Sequence, residues 1–136
     1  MAYKFPSDEW IKALMVEVNK SESYRKWAAK WEGDFNFIVE PGPGVPEPVA
    51  LYIDLWHGKA RSAGAVTSES EKRPEFTIRA PVKTWRRVIG KKLDPIRGMI
   101  TGQLKLKGTM SKIMRYPKAA AELVDCATKV PSEFPE

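Results

Sequence analysis

Apolar positions recur at helical spacing in the first thirty residues, then at a spacing of two. Ser7-Asp8-Glu9-Trp10 offers a capping side chain and acids for a first helical turn. Trp10, Ile11, Leu14, Met15 and Val18 then share one face, and Asn19 or Lys20 ends the element. Ser21 restarts a second helix with Tyr24, Trp27, Ala28 and Trp31 on one face, and Gly33-Asp34 is expected to close it. From Phe35 the alternation of Phe35, Phe37 and Val39 with polar Asn36 predicts a strand.

The proline-rich run Pro41 to Pro48 lacks the donors of a ladder and reads as a loop. Val49 to Trp56 predicts a second strand, apolar on both faces except at Asp54. His57-Gly58-Lys59 is a tight connection to a third strand of small side chains, Ala60 to Thr67. Ser68 to Pro74 is charged loop, and Glu75 to Arg79 a fourth strand.

Pro81 fits a first helical turn ahead of Val82, Trp85, Val88 and Ile89, and Gly90 ends that helix. Asp94-Pro95 starts a short helix with Ile96, Met99 and Ile100, which Gly102 stops. Gln103 to Lys107 is a fifth strand, with Leu104 and Leu106 on one face and Lys105 and Lys107 on the other. Thr109 opens a helix with Met110, Ile113 and Met114. Pro117 opens the last, where Ala120, Leu123, Val124 and Ala127 align, and the tail 131–136 reads as loose. Meandering strands followed by grouped helices predict an α+β fold, a five-stranded, largely antiparallel sheet with helices on one face. The length suits a single domain, residues 1–136.

Charge narrows the partners. The net charge is +6, and the second half carries the excess: residues 73–136 hold 14 Lys/Arg against 6 Asp/Glu, a net of +8. Such a half favours anionic partners, whether nucleic acid, lipid headgroups or phosphorylated ligands. A single cysteine and an N-terminus without an apolar signal core fit a reducing cytoplasm.

Candidate chemistry is sparse. His57 is the only histidine and sits at a hairpin end, where a hydrogen-bonded role is favoured over a catalytic one. Cys126 reads as core, and Asp54 as a side chain facing solvent or paired with an arginine. Gly42-Pro43-Gly44 precedes a strand and makes no phosphate cradle. No catalytic residue, metal site or cofactor is assigned. What stands out is pocket-like material on short, glycine-punctuated elements: Trp85, Ile89, Met99, Ile100, Leu104, Leu106, Met110, Ile113, Met114, Leu123 and Val124. The same side chains would also serve as ordinary core, and periodicity does not separate a filled core from a hollow one.

The stretch Thr84 to Val124, "TWRRVIGKKLDPIRGMITGQLKLKGTMSKIMRYPKAAAELV", resembles the lipid-binding domain of the sterol carrier protein type-two family. The likeness lies in the order of parts. Trp85 and Ile89 precede a Leu93-Asp94-Pro95 turn, the Met99 helix follows, then Gly102 to Gly108, then the helix from Met110 to Met114. "LYIDLWHGKA" and "EFTIRA" fall where that family has its sheet. The resemblance implies an apolar tunnel between sheet and helices and a non-catalytic role in binding or transferring a hydrophobic lipid, such as a fatty acid or fatty acyl-CoA. It implies tunnel lining at Met99, Ile100, Leu104, Leu106, Met110, Ile113 and Met114, with Trp85 and Ile89 beside them. In this division residues 1–32 are N-terminal helices and 33–130 the sterol-carrier-like core.

The basic residues would then make transient contact with an anionic membrane surface, the chain acting as monomer or homodimer. Two alternatives stay open: a basic nucleic-acid-binding domain, and an interaction module with an apolar groove. Against nucleic acid, aromatic and basic residues do not interleave on one exposed strand as stacking platforms do.

Overall fold

A computed structural model of the chain describes residues 2–66 and 73–135. It begins with β1 (Tyr3–Lys4), after which Ser7 caps α1 (Asp8–Lys20), its Oγ accepting from the Trp10 N–H at 3.1 Å. Ser21 repeats that device for α2 (Glu22–Trp27), accepting from the Tyr24 N–H at 3.0 Å. The second helix is therefore shorter than the aromatic spacing suggests. Gly33 and Asp34, expected to close it, already belong to the strand β2 (Glu32–Glu40), where they pair with Leu55 and Asp54. Trp31 enforces the change of direction, because its indole N–H donates to the Gly33 carbonyl at 2.9 Å.

β3 (Val49–Trp56) and β4 (Lys59–Val66) form the hairpin expected across His57-Gly58, both of which have positive φ (50° and 81°). A side chain at Gly58 would also strike the Arg25 backbone, 2.9 Å from a built Cβ, so glycine is required there twice over. β5 (Phe76–Pro81) runs straight into α3 (Val82–Ile89), followed by α4 (Pro95–Ile100) behind the Asp94 cap. β6 (Lys105–Lys107), α5 (Met110–Ile113), α6 (Pro117–Thr128) and β7 (Ser132–Glu133) complete the chain. Thr67, the charged stretch 68–72 and Glu136 lie outside the described residues.

The main sheet has five strands in the order β4-β3-β2-β5-β6. Every pairing is antiparallel except β2 with β5, which is parallel in the register Phe35↔Phe76 to Glu40↔Pro81. The fold is α+β, as expected. One face carries Phe35, Phe37, Leu51, Leu55 and Ile78, and helices cover it, α6 packing against α1, α2, α3 and α4. A register shift at Asp54/Leu55 leaves Arg61 as the extra residue of a bulge. Its guanidinium donates to Asp54 Oδ2 at 2.9 Å and lies 4.3 Å from the Trp56 ring centre, so Asp54 is arginine-paired.

Both sheet edges are guarded. α1 lies along β4, where Asn19 Oδ1 accepts from the Ala60 N–H (2.8 Å) and its amide donates to the Ala60 carbonyl (3.0 Å). At the other end Asp8 Oδ1 accepts from the Ala65 N–H at 2.9 Å. The spans match: Asp8 to Asn19 is roughly 16 Å of helix, and Ala60 to Ala65 roughly 16 Å of strand. The opposite edge, β6, is short and presents exposed Lys105 and Lys107, which discourages pairing with another chain.

The tail, expected to be loose, is a correction. Ser132 and Glu133 pair in parallel with Tyr3 and Lys4, and Ser132 Oγ takes the Trp10 indole N–H at 2.7 Å. Phe134 packs on Phe5, ring centres 5.3 Å apart. A chain terminus is expected to be loose, but an aromatic contact and a buried indole tie the segment down.

Candidate functional site

Between the sheet and the helices lies an apolar pocket of about 120 Å³. Phe35, Phe37, Leu51, Leu55 and Ile78 form its sheet side. Trp10 and Leu14 come from α1, Tyr24 from α2, Trp85, Val88 and Ile89 from α3, and Pro95 and Met99 from α4. Ile113 enters from α5, and α6 supplies Ala119, Ala120, Leu123, Val124 and Ala127, with Phe5, Trp31, Leu104 and Tyr116 filling the remaining wall.

Local rules explain why these side chains converge. Asp94 Oδ2 accepts from the Arg97 N–H at 2.9 Å, fixing the start of α4 so that Met99 turns inward. Gly98 lets α4 settle directly on Leu104, because a built Cβ there lies only 2.9 Å from Leu104 Cδ1. The Trp85 indole N–H donates to the Ile38 carbonyl at 3.0 Å, which pins α3 to the sheet. Aromatic rings pave one side: Phe35 stacks against Phe37, Phe76 and Trp31 with centres 5.5, 5.1 and 5.7 Å apart.

Of the side chains singled out in the sequence, Trp85, Ile89, Met99, Leu104, Ile113, Leu123 and Val124 line this pocket. Leu106 packs half-buried against the core beside it, and Met110 is half-buried at the start of α5. Ile100 and Met114 face outward, 63% and 50% exposed. Helical geometry accounts for them: each directly follows a pocket residue, Met99 or Ile113, and is rotated about 100° away from it. The tunnel implied by the family resemblance is not itself seen; the pocket is what the structure defines.

The N-terminal contribution to the wall was not singled out. Trp10, Leu14, Tyr24 and Trp31 had been recognised as helical stripes, but no local pattern tells which cavity a stripe meets. Phe5 carried no periodic signal at all.

The few reactive groups are engaged elsewhere. His57 Nε2 meets Glu32 Oε2 at 2.5 Å, and its ring stacks on Trp56. Cys126 is buried, which pushes its thiol pKa up, and its Sγ–H points to the Glu17 carbonyl at 3.8 Å. Among the described residues, no group of three His, Cys, Asp or Glu is placed to hold a metal, and no helix is long and apolar enough to cross a membrane.

Comparison with known proteins places this geometry. The family model described as "SCP-2 sterol transfer family" matches residues 11–121. A crystal structure of sterol carrier protein 2 is 40% identical, with TM-score 0.84, covering 91% of this chain and 97% of its own. A solution structure of a conserved hypothetical protein from Thermus thermophilus, described as possibly a sterol carrier protein, is also 40% identical at TM-score 0.84, covering 92% and 88%. The palmitated sterol-carrier-like protein SCP2L2 of Aedes aegypti, 18% identical over 93% and 99% at TM-score 0.54, shares the fold alone. Comparison with curated proteins finds no match.

Proposed function

This chain belongs to the SCP-2 sterol transfer family, whose members bind or transfer lipids, and from that premise we propose that it is a non-catalytic carrier of a single acyl-chain lipid. A fatty acid, fatty acyl-CoA or similar molecule is the ligand class. The observation that carries the reading is a pocket lined by apolar and aromatic side chains, with no charged residue among the described residues of its wall.

Its size says how binding works. An apolar cavity of about 150 Å³ accepts a benzene, so the space of about 120 Å³ takes a few carbons of a chain as it stands. Each buried methylene contributes about 0.8 kcal/mol, so about five give roughly 4 kcal/mol, a millimolar affinity. Micromolar binding needs roughly ten buried methylenes by the same rule. A physiological ligand therefore requires the pocket to open, and α4 and α5 are the elements to move. Both are short, and they are joined through Gly102 and Gly108, each at positive φ (82° and 136°).

The same region would meet the donor surface. Residues 91–118 hold 8 Lys/Arg against one acid, Asp94, a net of +7. Among them stand the exposed side chains of Ile100 and Met114, each next in sequence to a pocket residue. Basic residues around two exposed apolar ones suit an anionic membrane surface, from which a chain could pass into the opened pocket.

Native mass spectrometry of the purified protein tests the reading. The expected result is a mass excess matching a chain lipid, released by organic solvent. A protein empty after purification that also takes up no acyl chain of any length would overturn it.

A further inference from the structure

The turn that ends α3 sets a lysine where the backbone favours glycine. The Lys91 N–H donates to the Val88 carbonyl at 3.0 Å and the Lys92 N–H to the Arg87 carbonyl at 2.8 Å, the paired bonds of a helix end whose closing residue is left-handed. That residue is Lys91, at φ 60°, while Gly90 stands one place earlier at φ −83°, where any side chain fits. Among the described residues only His57 shares a positive φ without being glycine, and it turns the β3–β4 hairpin beside Gly58. A lysine held in a strained conformation calls for a use of its side chain. Its Nζ pairs with the Asp125 carboxylate of α6. With these side chains 56% and 38% exposed, that pair contributes too little to account for the strain. Its place is more telling. Ile89, two residues before Lys91, and Val124, next to Asp125, both line the pocket and are only half-buried, so the pair spans the edge of the pocket between α3 and α6.

We propose that Lys91 holds the ligand's anionic group, a carboxylate or a phosphate, at the edge of the pocket, and that Asp125 occupies Lys91 until such a ligand arrives. The inference rests on the lipid-binding reading above and names the side chain that meets the charged end of the lipid. The described residues of the pocket wall carry no charge, so an ionised group is left unpaired inside and stays at the edge while its chain enters. A lysine suits that boundary, because its stem is apolar and its ammonium keeps to water. The ammonium is a compact charge with three donors, so it serves a carboxylate or a phosphate. Asp125 competes with the ligand for the same ammonium, so its removal favours the ligand.

Titrations of decanoate, decyl phosphate and 1-decanol, followed by tryptophan fluorescence, test the inference. Lys91→Met should weaken binding of the two anions about threefold to fivefold, near the upper end for an exposed charge pair, and leave 1-decanol unchanged. Asp125→Asn should tighten the anions by a similar factor, because it removes the competitor. If the pair only tied α3 to α6, both variants would break it alike and shift all three ligands the same way. Lys59→Met, an equal change of charge at the β3–β4 hairpin, should leave every affinity unchanged. Lys91→Gly should weaken the anions as Lys91→Met does but have the higher urea midpoint of the two, since glycine accepts φ 60° freely. A larger loss for decyl phosphate than for decanoate in Lys91→Met would mark the group as a phosphate, and the reverse as a carboxylate. Anion affinities unmoved by Lys91→Met, or moved in the same direction by Lys91→Met and Asp125→Asn, would overturn the inference and leave the lipid-binding reading standing. If none of the three binds wild type, the lipid-binding reading itself fails and takes the inference with it.

Discussion

Leu104 joins the core and the pocket in one side chain. It is almost fully buried, touches the place where a Gly98 Cβ would sit, and lines the pocket. Leu104→Ala should cost about 2–5 kcal/mol in urea denaturation and leave a larger cavity. The enlarged site should shift preference toward bulkier or longer chains, read by competition between chain lengths; an unchanged preference would place Leu104 in the core alone. Residue by residue, the sequence exposed this part of the site well. Alternation put Leu104 and Leu106 on one side of a strand, and helical spacing put Met99 and Ile113 on buried faces. It did not separate Met99 from Ile100 or Ile113 from Met114, because in helices of six and four residues a stripe is too short to show its centre. Phe5 and Tyr24 belong to the site through contacts distant in sequence, which periodicity does not encode.

At the scale of elements, α1 acts as a cover for the edge of β4. Asp8 serves its N-terminal end, and the Asp8 carboxyl is held below its ordinary pKa first by its hydrogen bond to Lys12, then by the Ala65 N–H. A folded-state pKa below the unfolded one contributes stability above the unfolded value, about 3.9. That stability is lost as pH falls through the folded value. Wild type and Asp8→Ala should therefore differ in urea midpoint at neutral pH, and the gap should narrow as pH falls through and below the ordinary carboxylate range. A gap independent of pH would show that Asp8 acts only as a neutral cap. The elements themselves were largely legible: Val49–Trp56 and the starts of α1, α4 and α6 fall where capping and proline signals put them. The parallel pairing of β2 with β5 was not legible, because strand order depends on how the chain returns across the sheet. The β1–β7 clasp was missed for a related reason: two-residue strands have no period.

For the whole molecule, charge and cavity act together. The basic stretch 91–118 and the exposed Ile100 and Met114 predict binding to vesicles containing anionic phospholipid, with little binding to neutral ones. Each basic residue near such a surface adds about 1 kcal/mol, and the attraction reaches only about 8 Å at physiological salt. Cosedimentation should therefore fall steeply with added salt and fall further in an Ile100→Ser/Met114→Ser variant. Equal binding to neutral and anionic vesicles would contradict the charge argument.

The central claim is that a lipid chain occupies the pocket between sheet and helices. Trp10, Trp31 and Trp85 line that pocket, whereas Trp27 and Trp56 do not. A Trp27→Phe/Trp56→Phe variant therefore reports on the pocket through its remaining indoles. Titrated with an acyl chain brominated near its middle, it should show saturable quenching that an unbrominated chain competes away. Fluorescence that stays unquenched while the chain binds elsewhere, or no binding at all, would contradict the account.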